Sequence, residues 1–123
     1  MTPLSAPERA ALEDLLTAAQ ASTAAQIVAL ARDLGDIIEA STSVATDDEH
    51  DPEGTTIAFE RAQVAALLSR AQERLADLDR ALERLGEGTY GACEGCGQPI
   101  AAERLAARPA ARTCIVCAST RRR

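Results

Sequence analysis

The 123-residue chain has no Trp, one Tyr (Tyr90) and one Phe (Phe59), so aromatics make up 2% of it. Aromatic side chains supply much of the area that dense cores bury, so a bulky globular core is excluded. Lysine is also missing, and all 13 basic residues are arginine. Histidine occurs once, as His50, with no Cys or Ser beside it in a periodic segment. That leaves no nucleophile–base pair from which to build an enzyme, and none is expected. No apolar run reaches the roughly 18 residues that a bilayer span needs. The start MTPLSAPERA has no basic stretch followed by an apolar one, so no secretion signal is read there. The expectation is a cytoplasmic protein without membrane contact. In that compartment cysteine pairs serve more often as metal ligands than as disulfides.

What remains is mostly Ala and Leu, a composition that favours helices. Charge is unevenly spread. Residues 1–55 hold 11 acids against Arg9 and Arg32, a net of −9, and residues 56–123 hold 11 arginines against eight acids, a net of +3. An acidic front half repels phosphate, which argues against duplex DNA as the main partner. The run Arg121-Arg122-Arg123 reads as a solvated basic tail.

Ser5-Ala6-Pro7-Glu8 fits a capping box, with Pro tolerated in the first turn. From there Leu12, Leu16, Ala19, Thr23, Ile27, Leu30, Leu34 and Ile37 are separated by steps of 4, 3, 4, 4, 3, 4 and 3, close to a heptad seam. This predicts a helix over about 6–40. STSVATDDEHDPEGTT then reads as a loop over about 41–55, with Thr55 or Thr56 able to cap the next helix. That second helix is predicted over about 56–86. Its seam, Val64, Leu68, Ala71, Leu75, Leu78, Leu82 and Leu85, alternates steps of 4 and 3, and Gly86 and Gly88 close it. Two such helices on one loop can bury their seams as an antiparallel hairpin about 45–50 Å long. Pairing between two chains is the alternative, and a monomer is expected.

All four cysteines lie in the last third, as Cys93-x-x-Cys96 and Cys114-x-x-Cys117 with 17 residues between the pairs. This spacing suits one tetrahedral metal held by four thiolates, with no open position and therefore structural. One Zn²⁺ is the leading reading, and iron in a small electron-transfer protein is the alternative. Gly95 and Gly97 would let amides point at sulfur, Ile100, Leu105 and Pro109 would form a small core over the metal, and Arg104, Arg108 and Arg112 would be solvated. The fold class is therefore mainly α, a long antiparallel coiled-coil hairpin (1–88) with an acidic loop tip, then a small four-cysteine zinc finger with a short C-terminal helix (89–123).

The stretch YGACEGCGQPIAAERLAARPAARTCIVC resembles the finger of the TraR/DksA family of bacterial transcription regulators. The matching positions are Tyr90-Gly91, Cys93, Cys96-Gly97, Ile100, Arg104-Leu105, Ala107, Pro109, Cys114 and Cys117. The resemblance implies a non-enzymatic regulator of transcription initiation with no sequence-specific DNA binding. Its partner would be RNA polymerase, entered through the secondary channel with the acidic tip towards the active site. A zinc-finger module for some other protein partner is the alternative. The tip acids are Asp47, Asp48, Glu49, Asp51 and Glu53. The family's tip reads Asp-x-x-Asp-x-Ala. Asp48 and Asp51 fit it with Glu53 in place of Ala, and in the other register Asp51 fits with Gly54 in place of the second Asp. Asp51 is common to both.

Overall fold

The structure, a computed structural model, describes residues 4–43 and 52–121. Four helices succeed one another: α1 (Ala6–Ser43), α2 (Pro52–Glu87), α3 (Ala102–Ala107) and α4 (Ile115–Arg121). Among the described residues the sole extended pairing is an isolated antiparallel bridge, Ala92 with Pro99. The mainly α class expected from the sequence is the one observed.

The N-terminus of α1 is fixed by the capping box. The Glu8 amide donates to Ser5 Oγ at 3.2 Å and the Ser5 amide to Glu8 Oε1 at 2.9 Å. The Ser5 amide also holds the Glu8 carboxyl below the usual carboxylate range. The helix extends past the expected end near Ala40. Ser41 Oγ donates to the Ile38 carbonyl and Thr42 Oγ1 to that of Glu39, so these hydroxyls satisfy the last turn from within. At the other side α2 starts at Pro52, earlier than expected. Proline suits a first helical turn, where its missing N–H has no partner to lose. The helix ends in a Schellman motif: Gly88 takes φ +82°, its amide donates to Leu85 O, and the Thr89 amide donates to Arg84 O. Gly88 therefore closes α2, and Gly86 does not.

The chain's contacts group into two compact units, Met1–Ala21 with Leu75–Arg123, and Ser22–Arg74. The first unit joins the start of α1, the end of α2 and the cysteine segment. Its two helical stretches run antiparallel. Arg9 Nη2 donates to Leu85 O at 3.1 Å, and farther along α1 Gln20 Nε2 donates to Asp79 Oδ1 at 2.7 Å. Leu16, Leu78 and Ala81 are buried between them, with Ala19 and Leu82 packed alongside. Tyr90 and Ala110 of the cysteine segment pack against this layer, which also takes in Ala81, a residue outside the predicted seam.

The second unit holds the rest of both helices. Thr23 and Ala71 are buried, while Ile27, Leu30, Leu34, Ile37, Ile57, Val64 and Leu68 are half-buried. Every one of these matches the apolar spacing of its helix. The two successive four-residue steps, Ala19–Thr23 and Thr23–Ile27, fall where the units divide at Ala21 and Ser22. An extra step of four of this kind locally unwinds a heptad seam.

Candidate metal centre

The cysteine segment begins directly after Gly88. Gly91, at φ +92°, starts a tight reversal in which the Ile100 amide donates to Gly91 O at 2.7 Å. The Cys93 amide donates to Gln98 O at 2.8 Å, and the Gly97 amide returns to Cys93 O at 2.9 Å. Gly97 takes φ +78°, a left-handed conformation that closes this first turn. The second pair is brought in by α3, which buries Leu105 completely, and by a bond from the Glu94 amide to Arg112 O at 2.8 Å. α4 then starts between Cys114 and Cys117, and the Ala118 amide donates to Cys114 O.

The four sulfurs converge. The Sγ atoms of Cys93, Cys96, Cys114 and Cys117 lie within 4.8 Å of one another. Four thiolates about 2.3 Å from one ion would sit about 3.8 Å apart. The Cys96 and Cys114 sulfurs are 3.9 Å apart, so the set fits one tetrahedral ion. The surroundings favour thiolate. The Cys114 amide donates to Cys93 Sγ at 3.2 Å and the Gly95 amide at 3.3 Å. The Cys114 amide above all pulls the Cys93 thiol down to about 6. With one sulfur already charged, crowding by Cys93 and then Cys114 pushes the Cys117 thiol up to about 12. Repulsion among thiolates is what a doubly charged ion relieves. Bound there, the ion would supply folding energy and no open coordination position.

Gly95 matters for space, not for φ. A Cβ at this position would lie 3.0 Å from Cys117 Sγ and 3.2 Å from its Cβ. Gly97, by contrast, donates to a carbonyl and not to sulfur. The core over the centre is also larger than expected. Cys93, Ile100 and Leu105 are buried together with Leu12 of α1, and Leu4 and Tyr90 pack against them. Pro109 is half-buried, and its contribution is a carbonyl that accepts Tyr90 Oη–H at 2.7 Å. Tyr90 touches this cluster and the Leu16–Leu78–Ala81 layer alike, so it joins the two. Arg104 is not simply solvated: its Nε donates to Thr113 O at 2.9 Å and so ties α3 to the second pair. Of the acids expected at the tip, Asp47, Asp48, Glu49 and Asp51 lie outside the described residues, as does His50, and Glu53 falls in the first turn of α2.

Residues 88–123 match the model of the prokaryotic dksA/traR C4-type zinc finger. A solved structure of the transcription factor DksA2 from Pseudomonas aeruginosa superposes on 96% of this chain and 85% of its own, with a TM-score of 0.78 and 27% identity. Residues 88–123 are thus similar to the dksA/traR finger, and the chain shares the fold of DksA2. The match to a C4-type zinc finger and the four clustered cysteines assign one Zn²⁺ to this centre. Among curated relatives, the RNA polymerase-binding transcription factor DksA of Caulobacter vibrioides is 40% identical over 52 residues, 42% of this chain and 37% of that protein. General stress protein 16O of Bacillus subtilis is 37% identical over 68 residues, 55% of this chain and 42% of that protein. The chain thus matches less than half the length of these relatives. The DksA proteins among these are named as transcription factors. Among the described residues, no helix is long and apolar enough to cross a membrane.

Proposed function

We propose that this chain is a non-enzymatic regulator of transcription initiation that binds RNA polymerase as a monomer. The hairpin would enter the secondary channel, and its acidic tip would point towards the active site. The observation that carries the reading is the superposition on a transcription factor across 96% of the chain, hairpin and finger together. The named polymerase binder among the relatives supports the partner. In this reading the cysteine centre is a mount. It holds the start of α1 and the end of α2 in one unit, through Leu12, Tyr90 and the Leu16–Leu78–Ala81 layer. The tip is the effector. Carboxylates brought into a confined, partly dry site rich in cations interact more strongly than on an open surface. Asp51 is the first residue assigned to that role and Asp48 the second, with Asp47, Glu49 and Glu53 adding charge.

One observation favours a second reading. Ile115 is 63% and Val116 71% exposed, an adjacent apolar pair at the start of α4. A finger that docks a different protein, with the hairpin as spacer, would use such a pair. Retention of the zinc-loaded chain on immobilised core polymerase separates the two. With binding in hand, Asp48→Asn together with Asp51→Asn should leave affinity nearly unchanged and remove most of the effect on initiation at a responsive promoter. An unchanged transcriptional effect would reduce these acids to solubilising groups. A chain that core polymerase does not retain ends the first reading altogether.

A further inference from the structure

One side chain joins the last turn of α2 to the first cysteine turn. Arg84 donates from Nη2 to the Thr89 carbonyl at 3.1 Å and to the Ala92 carbonyl at 2.6 Å. Ala92 immediately precedes Cys93 and is the residue bridged to Pro99, so the bond lands on the finger itself. The carbonyl of the same Arg84 accepts the amides of Thr89 and Tyr90. One residue therefore ends the helix and grips the start of the cysteine segment. Its side chain is 13% exposed; the charge-assisted bond to Ala92 is partly buried, and the one to Thr89 lies at the surface.

Glu94 offers a competing explanation. Its Oε1 lies 3.6 Å from Arg84 Nη1 and 3.6 Å from Arg80 Nη2. Both distances exceed ordinary hydrogen-bond length, and the Arg80 side chain is 55% exposed. Exposed pairs of this kind contribute little, because water and salt screen them. The main-chain bonds of Arg84 decide the matter.

We propose that Arg84 is a positioning residue that fixes the angle of the finger on the end of α2, so that the cysteine centre meets its partner in one orientation. The geometry stands by itself, and its consequence for binding rests on the proposed polymerase partnership. Both bonds leave Nη2, whose two N–H directions are fixed in the guanidinium plane, whereas the N–H bonds of an ammonium rotate freely.

The test uses the full zinc-loaded chain and backbone relaxation by NMR. In the parent, amides of 92–118 should tumble with those of 78–87. In Arg84→Met, which keeps the apolar stem and removes the donors, one zinc per chain and the helix content should remain while the finger amides gain independent motion. Affinity for core polymerase should fall roughly tenfold, part of what the two lost charge-assisted bonds contribute to holding the finger. Arg84→Lys should restore it only in part, and Glu94→Gln should stay close to the parent in both readouts. Finger amides that still tumble with α2 in Arg84→Met overturn the proposal. So does loss of zinc in both Arg84 variants, which would make the residue a requirement of the fold and not of the angle. Loosened motion with unchanged polymerase affinity removes the binding consequence. If the parent does not bind polymerase, the functional reading fails and the relaxation data still decide the role of Arg84.

Discussion

Leu12→Ala should weaken zinc binding, although Leu12 lies 81 positions before the first cysteine. Leu12 is 5% exposed and shares a buried cluster with Cys93, Ile100 and the fully buried Leu105. Truncating a buried Leu removes its transfer free energy and leaves a cavity, at about 2–5 kcal/mol. The cluster is small and bordered by the half-buried Leu4 and Tyr90, which can shift inward, so the lower part of that range, about 2–3 kcal/mol, applies here. The finger has too little apolar area to fold without metal, so the loss appears as metal affinity. At 1.4 kcal/mol per factor of ten, the apparent zinc affinity should drop roughly 30- to 150-fold. Competition with a chromophoric chelator at neutral pH reads this. Val28→Ala, at a 58% exposed position in the second compact unit, is the control and should bind zinc like the parent. A Leu12→Ala chain that holds zinc as tightly as the parent would refute a finger core completed by α1.

Burial pushes the Tyr90 phenol up to about 12, against an opposing pull from Arg84, where the ordinary value is 10.0. A raised folded value means that its contribution to stability is whole below about pH 10 and is lost as pH climbs towards 12. Since Tyr90 is the chain's sole tyrosine, tyrosinate absorbance titrates it alone, and a native midpoint near 10 would contradict its burial. Gly95→Ala should lower zinc affinity while the circular dichroism of the long helices holds, because the new methyl meets Cys117 Sγ at 3.0 Å. Equal zinc affinity would mean the second pair shifts at no cost. Gly35→Ala should stabilise by about 1 kcal/mol in denaturant unfolding, since Gly35 is exposed, lies inside α1 and has nothing within 4 Å of an added Cβ. Destabilisation there would mean that the position is packed.

The seams are legible because spacing reports which face of a helix is buried, and both seams, from Leu12 to Ile37 and from Val64 to Leu85, are the protected positions in the structure. The metal centre is legible for a different reason: paired C-x-x-C turns carry their chemistry locally. Composition misleads at the helix ends. Ser41 and Thr42 look like loop residues, yet their hydroxyls bond carbonyls of the turn behind them. The six residues of α3 are too few to show a period. The bonds that hold the finger in place are beyond reach as well. Arg9, Arg84 and Arg104 each donate to a main-chain carbonyl, and nothing in residue type separates them from solvated arginines such as Arg108. Leu12 is a seam residue by spacing. Its place in the finger core depends on the fold bringing residues 4–12 beside 90–105, which no local pattern encodes.

A photo-reactive side chain in place of Asp51, on the zinc-loaded chain bound to core RNA polymerase, reads where the acidic loop lies. The proposed mode predicts crosslinks to the polymerase segments around the catalytic Mg²⁺, and none from the same probe placed at Val116. Crosslinks from position 51 to the outer surface of polymerase, with the catalytic segments untouched, would contradict entry of the hairpin into the channel.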